Sequence, residues 1–172
     1  MGEKTRCAWA ESHPLLTVYH DEDYGVTLET DADLFERLML EVNQAGLSWL
    51  TILKKRDGFR EAFDGFDIDR VADYGESERT RLLQDANIIR NRLKINAAIH
   101  NAKVVQSLRD EHGSFKHWLD RQTCESLEDW VKLFRATFKF MGPEIVNEFL
   151  MSTGYITITH DAGCWLNGKR AR

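Results

Sequence analysis

A chain of 172 residues is long enough for one well-packed hydrophobic core and short for two, so a single domain spanning residues 1–172 is expected. Hydrophobic residues at 42% and charged residues at 30% exclude a disordered tail. With no stretch near the roughly 20 apolar residues of a membrane span, and no signal-like apolar run at the start, a cytoplasmic protein without a membrane partner is expected. The net charge of −5 hides a division: residues 1–36 hold nine acids to two bases, 51–60 four bases to one acid, and 79–103 six bases to one acid. Such a chain can turn a basic face to phosphates, though solvated helix surfaces explain the same counts equally well.

Helical signals dominate from Thr30 onward. Thr30 or Asp31 can cap a helix whose apolar positions are Leu34, Phe35, Leu38, Met39, Val42 and Ala45, with Gly46 near its end. A short helix through Trp49 and Lys55 is expected to stop near Gly58. Asp67 or Asp69 caps a short one holding Val71 and Ala72. A long helix is predicted from about Asn91 to His112, with Ile95, Ala98, Ile99, Ala102, Val105 and Leu108 on its inner stripe and Gly113 as its stop. Ser114 then caps a turn carrying Phe115, Trp118 and Leu119. Residues 126–136 read as a further helix, followed by a tight hairpin closed by Gly142 and a last helix that starts at Pro143 and ends at Gly154. The only alternating run is the short Tyr155–Thr159 segment, so the fold class is all-α. The glycine in the hairpin and the amides opening the next helix suit a close approach to phosphate, although paired helices joined by a turn are common without any nucleic acid.

Three cysteines are too few for a disulfide framework. Cys7 and His20 lie near one end and His160 and Cys164 near the other, a ligand set that suits tetrahedral zinc at an unusually long separation. His160 and Cys164, four apart, would share one face of a helical turn. Buried thiols and unrelated surface histidines account for the same residues. Cys124 has no matching neighbour and reads as a packing residue. Glu41 follows Arg37 by four and precedes Gln44 by three; that spacing favours an exposed polar stripe with an ion pair over a buried position. Trp9, Tyr19 and Trp49 read by default as core aromatics.

Several stretches together carry more than any of them alone. Arg6-Cys7-Ala8-Trp9, Tyr19-His20-Asp21, the block from Leu40 to Trp49 with its Gln-Ala-Gly-Leu-Ser-Trp run, Leu53 to Arg56, Gln84 to Ile95 and Phe138 to Gly142 resemble the DNA-3-methyladenine glycosylase I family of the helix-hairpin-helix glycosylase superfamily. The likeness spans nearly the whole chain. It implies a helix-hairpin-helix glycosylase-like fold with one structural Zn2+ per chain joining the termini, the Cys-x12-His and His-x3-Cys spacings placing its ligands at Cys7, His20, His160 and Cys164. It further implies a base pocket of Trp9, Tyr19, Glu41 and Trp49, with Glu41 catalytic, and a DNA-binding hairpin at Lys139, Met141, Gly142 and Glu144. The implied partner is double-stranded alkylated DNA, with no protein partner and a monomeric enzyme.

The implied chemistry follows from the lesion. Methylation at N3 puts positive charge on adenine, so the base departs neutral and little acid catalysis is needed. The enzyme must draw the base from the duplex, at a cost of a few kcal/mol, and hold it against ring faces and a carboxylate. Glu144 stands where strand-cutting members of the superfamily have lysine, which implies hydrolysis without lyase activity. Asp161 is near the place of another catalytic aspartate but falls between two expected metal ligands and takes no role. Leu16, Tyr24, Asn87 and Leu93 depart from the family pattern and put pocket shape and substrate preference in question. A zinc-stabilised lesion-binding module without catalysis, and a helical protein with no nucleic-acid role, are the competing readings.

Overall fold

The computed structural model describes residues 4–169; residues 1–3 and 170–172, the ends of the expected domain, lie outside the described residues. Among the described residues there is no β-strand, as the helical periodicity requires. The chain enters through a 3-10 turn at Ala8–Ser12, then α1 (Pro14–Val18), which runs into a wider π turn at Tyr19–Asp23. Next come α2 (Asp31–Gln44), α3 (Trp49–Lys54), α4 (Arg56–Ala62), α5 (Ile68–Ala72) and α6 (Glu76–Gln84). The second half holds α7 (Arg92–His112), α8 (Phe115–Asp120), α9 (Leu127–Thr137) and α10 (Pro143–Ser152). No described helix is long and apolar enough to cross a membrane.

The caps read from sequence form as hydrogen bonds. Thr30 Oγ1 accepts from Asp33 N–H at 3.1 Å, Asp67 from Arg70 N–H at 2.9 Å, Asn91 from Lys94 N–H at 3.1 Å and Ser114 from His117 N–H at 2.8 Å. Each satisfies an amide that the helix itself leaves without a partner. α2 is the axis of the core: from Leu34 to Asn43 every residue is buried, because α3, α7, α8 and α10 all pack around it. A helix enclosed on all sides has no solvent stripe, so the exposed reading of Glu41 is overturned by packing that its spacing could not reveal. The main core runs from Leu34 to Leu150, while Cys7, Cys164 and Leu166 form a separate small cluster with Trp165.

Three local expectations are corrected. Gly58 does not stop a helix but lies inside α4, where a Cβ would meet the Asn87 carbonyl oxygen at 2.5 Å; its role is close approach to the turn that carries Asn87. In the hairpin the left-handed residue is Phe140 (φ 65°), whereas Gly142 is the extended N-cap of α10. His160 and Cys164 share no helical turn, since they sit on a non-helical tail bent by a hydrogen bond from Cys164 N–H to Asp161 O at 2.8 Å.

The basic stretches serve mostly to bind the fold together. Arg56 reaches Asp23 at 2.7 Å and Glu36 at 2.8 Å, Arg60 also holds Glu36, and Arg81 donates to the Ala62 carbonyl at 2.9 Å. Lys54, Arg90 and Lys103 stay exposed.

Candidate active site and metal centre

Glu41 lies on the inward side of α2, 3% exposed. Burial pushes its pKa up to about 8, opposed by the charge of Arg37 one turn earlier and reinforced by that of Glu148 on α10. Among the described residues the carboxyl makes no hydrogen bond. Arg37 is itself buried: its Nη1 donates to the Ser152 carbonyl at 3.0 Å and its guanidinium stands 5.3 Å from the Tyr19 ring centroid. The Tyr19 ring lies 5.2 Å from that of Trp49 and 5.7 Å from that of Tyr24, and Trp9 stands 6.4 Å from Tyr19 and 5.6 Å from Tyr24. The three rings expected around the carboxyl, joined by Tyr24, therefore gather in one place, and Trp9 keeps 39% of its surface open. Trp49 Nε1, closed off from solvent, finds no acceptor among the described residues. Buried polar groups without partners are uncommon and costly.

Two helices and a turn deliver these groups. The π turn at Tyr19–Asp23 packs beside α1, α2 brings Arg37 and Glu41, and Ser48 caps α3 so that Trp49 is its first residue. Lys94, which sequence reasoning passed over, fixes the joint: its buried Nζ donates to the carbonyls of Asn43 at 2.8 Å and Ala45 at 2.7 Å, the open end of α2. Leu16, a departure from the family pattern, is buried on α1, and Leu93 is left 68% exposed at the start of α7. A cleft of about 680 Å³ opens beside Tyr24 and His160 and runs along Tyr155 to Thr159. It touches the ring cluster only through Tyr24 and does not include Glu41.

Cys7, His20, His160 and Cys164 meet although 153 residues separate Cys7 from His160, and their four ligand atoms lie within 4.8 Å of one another. Cys7 Sγ is 3.4 Å from His160 Nδ1, and Cys164 Sγ is 3.4 Å from His20 Nε2 and 3.8 Å from His160 Nδ1. A metal with bonds of about 2.0 to 2.3 Å to each would hold tetrahedral ligands at roughly such spacings. The surroundings orient the set. Asp21 accepts from the other nitrogen of His20 at 2.9 Å, from Arg6 and from Trp165, and these bonds outweigh burial to hold its carboxyl well below the usual range. Backbone amides of Asp161 and Leu166 point at the two sulfurs, at 3.3 and 3.4 Å. Asp161 is fully engaged here, its carboxylate taking the Ala8 N–H at 2.8 Å.

On the far side of α7 the hairpin between α9 and α10 is pinned by Asn101. This fully buried amide accepts from Lys139 N–H at 2.8 Å and donates to Lys139 O at 3.1 Å. Lys139 and Glu144 are exposed and the space around Gly142 is open, whereas Met141 turns into the core at 8% exposure. Burial together with the charges of Lys139 and Lys103 holds His100 below its ordinary range, so this edge gathers positive charge.

A sequence profile of the methyladenine glycosylase family matches residues 9–130. The chain is 35% identical to DNA-3-methyladenine glycosylase 1 of Escherichia coli (strain K12), over 92% of this chain and 95% of that one. It superposes on a crystal structure of a 3-methyladenine DNA glycosylase I with TM-score 0.86 and 34% identity, covering 95% of this chain and all of the other. A tyrosine-to-phenylalanine variant of such an enzyme, in complex with 3-methyladenine, matches with TM-score 0.84 and 31% identity over 96% of this chain and 98% of its own.

Proposed function

Because the chain belongs to the methyladenine glycosylase family, we propose that it hydrolyses the N-glycosidic bond of 3-methyladenine in alkylated double-stranded DNA and leaves an abasic site. The observation that carries this reading is the Glu41 carboxyl, buried beside Tyr19 with no hydrogen-bond donor of its own. A carboxyl without hydrogen-bond donors in such a place resists ionising, and an incoming cationic base with amino hydrogens on its edge supplies charge and donors that favour the carboxylate.

The base leaves the stack, at a cost of a few kcal/mol, and is held against the faces of Tyr19 and Trp49, with Trp9 at the open side. Ring faces attract a cation by about 0.5 to 2 kcal/mol in a dry site, which favours the charged lesion over adenine. Glu41, mainly protonated when the site is empty at neutral pH, gives up its proton to solvent as the cation arrives. Its carboxylate then stabilises positive charge on the base and on the sugar as the C1′–N9 bond breaks. The bonding electrons pass to the base, which departs neutral, and water adds to C1′ and releases a proton. With Glu144 rather than a lysine beside the hairpin, no amine is placed to attack the sugar, so the strand stays uncut.

Cys7, His20, His160 and Cys164 would hold one zinc ion. Two thiolates and two imidazoles fill a tetrahedron and leave no open position for a catalytic water, so its contribution is structural. The chain 1–172 then works as one glycosylase unit, monomeric and cytoplasmic at the bacterial nucleoid. Lys139, the backbone at Met141 and Gly142, and the first turn of α10 at Glu144 meet the DNA backbone through amides and positive charge.

Incubation with methylated duplex is expected to release free 3-methyladenine, seen by chromatography, and undamaged duplex none. Tight lesion binding without release would instead favour a binding module. If the hairpin meets DNA as read, Asn101→Ala, which removes two hydrogen bonds worth about 1 kcal/mol each, weakens duplex binding by roughly fivefold or more. Fluorescence anisotropy with a labelled duplex checks this, and the rate constant at saturating DNA is expected to change less than the affinity.

A further inference from the structure

Glu148 has no place in the account so far. It is half-buried on α10, and among the described residues it forms neither a hydrogen bond nor an ion pair. α10 packs on α2. Ser152, one turn after Glu148, has its carbonyl held by Arg37, and one turn beyond Arg37 on α2 is Glu41. The two helices thus carry a pair of carboxyl groups toward the same ring cluster, and the charge of Glu148 is felt at both Glu41 and Tyr24.

The charges do not balance with Glu41 alone. Arg37 is buried on the same face of α2, so a single carboxylate would face two positive charges once a methylated base is in place. Resting on the glycosylase reading above, we infer that Glu148 is a specificity-determining residue of the base site. It supplies the second negative charge, so that Glu41 and Glu148 together offset both Arg37 and the methylated base. The other titratable groups facing the pair are Tyr19 and Tyr24, whose phenols burial keeps neutral, and Glu144 one turn before Glu148. In the empty site two carboxyls that feel each other's charge and share one buried cation retain a proton, because both cannot ionise cheaply together. Entry of a cationic base expels it, whereas a neutral base cannot.

The test uses the full chain with its zinc, under single-turnover conditions on methylated duplex. Glu148→Gln keeps the shape and removes the charge. It is expected to lower kcat/KM for 3-methyladenine release about tenfold at pH 7, as loss of a close charge partner does in other buried sites. It should also move the acid limb of the pH profile to lower pH, since Glu41 then ionises without a like-charged neighbour. Glu148→Asp restores the charge and is expected to return both properties toward the parent protein. An unchanged rate in Glu148→Gln, or a fall in rate with an unmoved acid limb, overturns the inference. A parent protein that releases no base overturns the glycosylase reading itself, which is a different result from an active parent with an indifferent variant.

Discussion

Glu41→Gln is expected to lower base release by about two to three orders of magnitude and at the same time to stabilise the fold at alkaline pH. The first effect follows from the proposed chemistry, since an amide keeps the shape but carries no charge to set against the developing cation, and losses of about that size accompany removal of such electrostatic groups. The second follows from linkage. The folded pKa of Glu41, about 8, lies above that of an exposed glutamate, so its burial is tolerated in full while the group is protonated. As pH rises from about 4.5 to 8 the unfolded chain ionises and the folded one resists, and stability falls by roughly 1.4 kcal/mol per pH unit at most. Glutamine has no such term. Thermal melts of parent and variant should therefore nearly coincide at pH 5 and separate by several degrees at pH 8, with the variant higher. Coincident melts at both values would place the carboxyl in water, and full base release by the variant would remove Glu41 from the chemistry.

The second large effect concerns the metal. One zinc per chain is expected from elemental analysis, and Cys7→Ala or Cys164→Ala should lose it. Structural zinc contributes folding energy directly, and here it would close almost the whole chain, at a small cluster separate from the main core. A loss of about 10 °C in melting temperature is expected, at roughly 2–4 °C per kcal/mol for a chain of this size. Base release should fall as well, because His20 follows Tyr19 directly and Trp9 packs on the His20 ring at 5.3 Å. Zinc-free protein with the parent's melting curve would show that the four ligands meet without needing an ion.

Much of the helical plan is legible from local signals. Thr30, Asp67, Asn91 and Ser114 act as caps within three residues of what they bond, and Pro143 opens α10 where its missing N–H has no cost. The site is less legible because its partners are distant. Arg37 and Glu41 are spaced like a surface ion pair, and only Tyr19, Ser152 and Glu148, brought in from both ends of the chain, turn that face inward. Lys94 and Asn101 look like ordinary members of a charged and polar helix face, yet both are buried on backbone carbonyls and amides, which carry no residue-specific signature. The metal ligands could be gathered from sequence only through family likeness. Their proximity depends on a non-helical tail that periodicity does not describe.

The proposed base site is assembled from two pieces of different age in a growing polypeptide. Glu41 lies on the helix at the axis of the main core and Trp49 packs against that core, whereas Trp9 and Tyr19 lean on the cluster completed by His160 and Cys164. A nascent chain emerging from the ribosome at about 5–20 residues per second presents its first aromatic residues early and can seat them only after nearly all the rest has followed. On the proposed reading, translation keeps the base site unfinished until the segment carrying His160 and Cys164 has emerged.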